Sequence, residues 1–129
     1  MEEWTELIGD RAPELKVEKI RLLRERLADS LSQSGLDLDE SRFLQEIVIL
    51  TDKVDVSEEL TRLAAHLERM RQLLAQGQDA GRKLDFTLQE CFREINTCGN
   101  KLQDAQLSAI IVDFKNELEK CREQAQNLE

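Results

Sequence analysis

Apolar residues recur along this chain at alternating steps of three and four, the spacing of a helix face rather than of a strand. Between Gly81 and Lys101, Leu84, Leu88, Cys91, Ile95 and Cys98 form one apolar stripe. Two polar rows flank it: Arg82, Asp85, Gln89, Arg93 and Asn96 on one, Lys83, Glu90, Glu94, Thr97 and Lys101 on the other. Leu60, Leu63, Leu67, Met70 and Leu74 keep a repeat like a coiled-coil seam. Ser57 is its predicted N-cap, with Glu58 and Glu59 in the first turn, where the helix dipole favours negative charge. Leu107, Ile110, Ile111, Phe114, Leu118 and Cys121 define a further helix, capped by Asp104 and closing in a charged, solvated tail over 117–129. Phe43, Leu44, Ile47, Val48 and Leu50 spread apolar character over a wide arc between Glu40 and about Asp52, with Asp39 as N-cap, which predicts a central helix. Nearer the N-terminus, Gly9, Asp10 and Pro13 interrupt Trp4, Leu7 and Ile8. The expectation there is a short turn, then a helix from about Pro13 to Leu31 carrying Leu15, Val17, Ile20, Leu23 and Leu27; one kinked helix is the alternative. Breaks are predicted at 32–35, 77–81 and 99–100.

These elements predict one all-α domain over residues 1–129, an antiparallel bundle of four to five helices with long heptad-like seams. Seams of that kind also run between chains, so a homo-oligomer is expected. Composition supports helices: aromatics are only 4% and proline occurs once. The net charge of -9 changes the picture more. It gives no bulk attraction to nucleic acid or to an anionic membrane, so any RNA contact needs a local basic patch or charge from another domain. Cys91, Cys98 and Cys121 all lie on apolar stripes, which fits reduced, buried thiols in a cytoplasmic protein. With one histidine and no Cys-x-x-Cys spacing, a Cys/His zinc site is disfavoured. No apolar run reaches membrane-spanning length, no signal peptide is visible, and no membrane association is expected. There is no nucleophile elbow, phosphate-cradling glycine loop or dinucleotide fingerprint.

Two sets of residues carry candidate chemistry. Glu59, Arg62, His66 and Arg69 share one side of a helix, and Glu90 and Glu94 lie one turn apart on the next. Paired carboxylates plus an imidazole from a neighbouring helix suit Mg²⁺ or Mn²⁺, which take oxygen ligands and tolerate nitrogen. Solvated faces carrying glutamates four apart are common without any ion. Arg82, Lys83, Arg93 and Lys101 form the second set. Guanidinium groups grip phosphate in bidentate fashion; the alternative is internal pairing of Lys83 with Thr87 and Glu90, and of Arg93 with Gln89 and Asp85.

The stretches LDLDESRFLQEIVILTDKVDVSEELTRLAAHLERMRQLL, GRKLDFTLQE, REINT and NELEKCREQAQNLE resemble the C-terminal half of the YicC/YloC family of bacterial proteins, from about Arg11 to Glu129. The resemblance implies a metal-dependent endoribonuclease of the bacterial cytoplasm, acting on RNA phosphodiesters and assembling into oligomers, with hexamers expected. The polar residues at the positions that match the family motif are Arg82, Lys83, Asp85, Gln89, Glu90, Arg93, Glu94, Asn96, Lys101 and Asp104, with Glu59 and His66 matching on the preceding helix. Their roles are our own expectation, not the family's: Glu90 and Glu94, with Glu59 or His66, for a divalent metal (Mn or Mg), His66, Glu90 and Glu94 as catalytic, Arg82, Lys83, Arg93 and Lys101 for RNA phosphate, and Asp85, Gln89, Asn96 and Asp104 in support. His66 has a second expected role, as general acid or base. The sequence departs from the family pattern at Cys91 and Phe92, where Met and Asn are usual, and at Asn100 and Leu102, in place of Ser. The Asn-to-Phe difference is expected to remove a polar group from the candidate face. The family's N-terminal domain is expected to be missing, or supplied by a partner chain, which leaves this domain inactive alone. The rival expectation is a non-catalytic helical oligomerisation or protein-interaction module.

Overall fold

The computed structural model describes residues 1–34, 40–77 and 80–127. These form five helices: α1 (Glu2–Ser34), α2 (Glu40–Val54), α3 (Ser57–Gln76), α4 (Gly81–Leu102) and α5 (Ala105–Gln126), with no strand among the described residues. The all-α bundle expected from the periodicity is present. Asp39, the expected cap of α2, and the side chain of Leu31 lie outside the described residues.

α3, α4 and α5 make the body of the bundle. Lys101 meets Glu59, Arg62 meets Glu94 and Met70 meets Cys91, so residue numbers rise on one helix as they fall on the other, and α3 and α4 are antiparallel. The α4 stripe is buried as predicted, and Leu102 extends it. From α3 come Leu63, Leu67, Met70 and Leu73. Leu73 corrects the expected seam, because Leu74 is 58% exposed. The buried set steps 63, 67, 70, 73; a helix of 3.6 residues per turn keeps position 74 on the same stripe, so its exposure reflects what covers the last turn of α3 rather than the register. From α5 come Leu107, Ile111, Phe114 and Leu118. Ala125 is buried in the stretch expected to be a solvated tail.

Three boundaries differ from the expectation. α1 runs unbroken through Gly9 and Pro13. Proline removes an intrahelical hydrogen bond, but tertiary contacts on both sides of it hold the helix. Trp4 packs on Phe114 with ring centroids 5.6 Å apart, and Ile8 and Leu15 are buried. Gly9 lies against Leu60, where an added Cβ would sit 3.7 Å from its methyl. Arg11, beside the proline, binds Asp104, Glu14 and Glu18. Second, Ser57 does not cap α3: it is the first helical residue, and Asp55 Oδ1 accepts its N–H at 3.0 Å and its hydroxyl at 2.6 Å. Those hydrogen bonds hold the Asp55 carboxyl below its ordinary range. Third, α4 does not stop at Gly99-Asn100. Gly99 stays helical, and Ile111 packs 3.4 Å from where its Cβ would be, a close contact that suits a glycine. The chain turns instead at Gln103, in the left-handed region (φ 43°), whose N–H returns to the Gly99 carbonyl at 3.1 Å. Asp104 occupies the N-cap position of α5 without a side-chain capping bond, its carboxylate being engaged by Arg11.

α2 is peripheral rather than central. Only Phe43 and Val54 are buried on it, while Leu44, Val48 and Ile49 are exposed. It packs chiefly along the second half of α1, with the Arg24 guanidinium 5.2 Å from the Phe43 ring centroid. A wide apolar arc shows that a helix has surface to bury, but not which neighbour covers it.

Candidate metal centre and cationic groove

The antiparallel register of α3 and α4 brings three expected site residues together. On α3, Glu59, Arg62, His66 and Arg69 follow at steps of three and four and line the edge of the core stripe. On α4, Glu90, Glu94 and Lys101 run in the opposite direction. His66, Glu90 and Glu94 each place one donor atom within 4.8 Å of the others. Glu94 is buried, while His66 and Glu90 are half-buried. Two carboxylate oxygens and one imidazole nitrogen are a donor set of the type that Mn²⁺ or Mg²⁺ accepts.

Glu59 stands apart from that cluster. Its Oε1 accepts from Lys101 Nζ at 2.8 Å and faces Arg62 Nη2 at 3.8 Å. Oε2 is buried without a hydrogen-bond partner. Burial alone would raise this carboxyl, but the Lys101 hydrogen bond, its own backbone N–H and the charges of Lys101 and Arg62 bring it below the ordinary value. The Lys101 ammonium is pushed up in return, chiefly by its hydrogen bond to Glu59. Lys101 also donates to the Asp55 carbonyl at 2.9 Å, so the lysine expected on phosphate is engaged inside the bundle.

Arg62 links the two groups. Its Nε donates to Glu94 Oε1 at 2.8 Å, and this bond raises the guanidinium above its usual range. One oxygen of Glu94 is thereby held, and the carboxylate is fixed beside His66 and Glu90. Sequence inspection placed Arg62 on the right side of α3 without giving it this role; its partner is 32 residues away.

Beyond His66 the seam opens into a groove of about 410 Å³ lined by His66, Arg69, Arg82, Lys83, Phe86 and Thr87. Arg82 and Lys83, two of the cations expected on phosphate, both line this groove. Arg69 joins them, and Phe86 is an aromatic that the sequence reading did not single out. Its signal was its register, since it falls off the stripe set by Leu84 and Leu88. Arg93 is highly exposed and 3.9 Å from Glu90, outside the groove. Gln89 donates to Asp85 at 3.4 Å and Asn96 is exposed, both on the outer row of α4. Asp104 lies at the far end of the bundle with Arg11.

The differences from the family pattern at Cys91, Phe92 and Leu102 fall on the core side, and Asn100 is exposed. Cys91 is buried, 3.8 Å from the Met70 sulfur, and Phe92 packs against the core. Neither faces the cluster, so Phe92 does not displace a polar group there. Burial pushes the Cys91 and Cys98 thiols up to about 12, so both are inert neutral groups near neutrality. All three cysteines are free.

The family model described as endoribonuclease YicC-like, C-terminal, matches residues 8–129. The chain belongs to the YicC-like family. Two relatives, each named probable endoribonuclease YicC, are similar to it. One, from Haemophilus influenzae, is 43% identical over 106 residues, covering 82% of this chain. The other, from Clostridioides difficile, is 38% identical over 112 residues, covering 87% of this chain. The matched part of this YicC-like chain spans 37% of the length of each. Among its described residues no helix is long and apolar enough to cross a membrane.

Proposed function

We propose that this YicC-like domain carries the metal-binding part of an RNA-cleaving site. The observation that carries the reading is the meeting of His66, Glu90 and Glu94 within 4.8 Å, beside a groove holding Arg69, Arg82 and Lys83. The names of the relatives supply the substrate class.

His66, Glu90 and Glu94 would hold Mn²⁺ or Mg²⁺, which supplies Lewis-acid polarisation of a phosphoryl oxygen. Arg62 keeps Glu94 oriented, as outer partners of metal ligands do. Arg82, Lys83 and Arg69 neutralise the RNA backbone and fix its register at the site. Their charge is local in a chain of net -9, so binding is weak and strongly salt-dependent. Lys101 and Glu59 act beneath this surface by bracing α3 against α4. The homo-oligomer and the cytoplasmic setting implied by the family resemblance belong to the same proposal.

The test is cleavage of a short structured RNA by the purified chain in Mn²⁺ and in chelator, beside a Glu90→Gln/Glu94→Gln variant. Cleavage should require Mn²⁺ and fall by more than about 100-fold in the variant. Cleavage that persists in the variant contradicts the assignment.

A further inference from the structure

Phe86 is 64% exposed although both its near neighbours on the α4 stripe, Leu84 and Leu88, are fully buried. It stands in the groove among Arg69, Arg82 and Lys83. No ion pair among the described residues engages any of these three cations. Arg11, Arg62, Arg71 and Lys101, by contrast, each pair with a carboxylate. An aromatic face and three unpaired cations in one concave site match what a single nucleotide presents, a π-surface and an anionic phosphate.

The register on α4 adds a second constraint. Arg82, Phe86 and Glu90 occur at steps of four and form one row, each about one helical turn (~5.4 Å) from the next. Phe86 therefore sits between a cation free to take phosphate and a carboxylate of the His66–Glu90–Glu94 cluster. A base lying on Phe86 leaves its flanking phosphates directed to these two neighbours. Bases within a duplex are already stacked on one another and offer an aromatic side chain no free face, whereas an unpaired base does.

We infer that Phe86 is a stacking platform for an unpaired nucleobase, which makes the groove a single-stranded RNA subsite adjoining the metal cluster. This rests on the RNA reading proposed above and adds to it the form of RNA accepted. Phe86 is then a specificity-determining residue: the cations hold backbone of any form, and the ring selects the unpaired one.

The test uses the full chain in chelator, so that no metal-dependent chemistry intervenes. Fluorescence anisotropy measures binding of a labelled single-stranded RNA of about ten nucleotides, and of the same strand in a blunt duplex. Phe86→Ala should weaken single-strand binding by about tenfold and leave duplex binding unchanged. Phe86→Trp should retain single-strand binding, and its emission above the Trp4 background should be quenched by the single strand and not by the duplex. An Arg82→Ala/Lys83→Ala variant should weaken both forms and flatten the salt dependence. If that variant weakens binding while Phe86→Ala does not and Phe86→Trp is not quenched, the platform is overturned and the phosphate reading stands. If neither RNA binds, or the Arg82/Lys83 variant binds as before, the RNA reading fails and takes this inference with it. Concentration-dependent self-association of the free chain, abolished by Phe86→Ala, would assign the ring to a contact between copies and overturn the base subsite.

Discussion

Glu59 and Glu94 are the charged side chains the bundle buries, and each is held by a cation from the facing helix. A buried carboxylate persists only with such partners, and the Glu59–Lys101 pair has a consequence for stability against pH. The folded Glu59 carboxyl lies below its ordinary value of 4.5. Its contribution is therefore complete above that value and is lost as pH falls through the folded value. Lys101 lies above its ordinary 10.5, so its contribution is complete below 10.5 and is lost as pH rises through the higher folded value. Denaturant titrations of the wild type should show stability falling below about pH 4.5, with a shallower fall in Glu59→Gln. An unchanged acid slope in the variant would show that other carboxylates govern it. This pairing was not legible in sequence, because Lys101 looked like a free cation on a polar row. The residue that claims it is 42 positions earlier, and only the antiparallel register brings the two together.

At the scale of the helices, α4 was legible almost in full. Its apolar stripe is narrow and every member is buried, so periodicity alone identified the core face. α1 and α2 were not. Pro13 has an unfavourable local preference that burial of Ile8 and Leu15 and packing of Trp4 on Phe114 override, and local propensity carries no information about such contacts. α2 has more apolar surface than its neighbours cover. A pair of substitutions separates the two kinds of hydrophobic position. Phe114 is fully buried and contacts Trp4; Phe114→Ala should cost about 3–5 kcal/mol in urea unfolding. Leu44 is 59% exposed on α2; Leu44→Ala should change stability by less than about 0.5 kcal/mol. A large loss at Leu44 would place α2 in the core after all.

For the molecule as a whole, the chemistry lies on one seam. The α3–α4 interface carries the Lys101–Glu59 brace, then Arg62 and Glu94, then the His66–Glu90–Glu94 cluster, and finally the cationic groove with Phe86. Between α1 and α2 lies a cleft of about 440 Å³ lined by Lys19, Leu22, Arg26, Ile49 and Lys53 among others. No cluster of metal-ligating side chains lies there among the described residues. The candidate site was half legible. Residue types and spacing on single helices picked out His66, Glu90 and Glu94, while which of the four proposed ligands converge depended on the register between helices, and Glu59 fell outside. The measurement that bears most directly on the central claim is Mn²⁺ binding to the purified chain, followed by titration calorimetry or by loss of the free-ion paramagnetic resonance signal. The account predicts about one site per chain, abolished by Glu94→Gln and by His66→Ala and retained in Glu59→Gln. Equal binding by the His66→Ala and Glu94→Gln variants, with their helical signal intact, would contradict it.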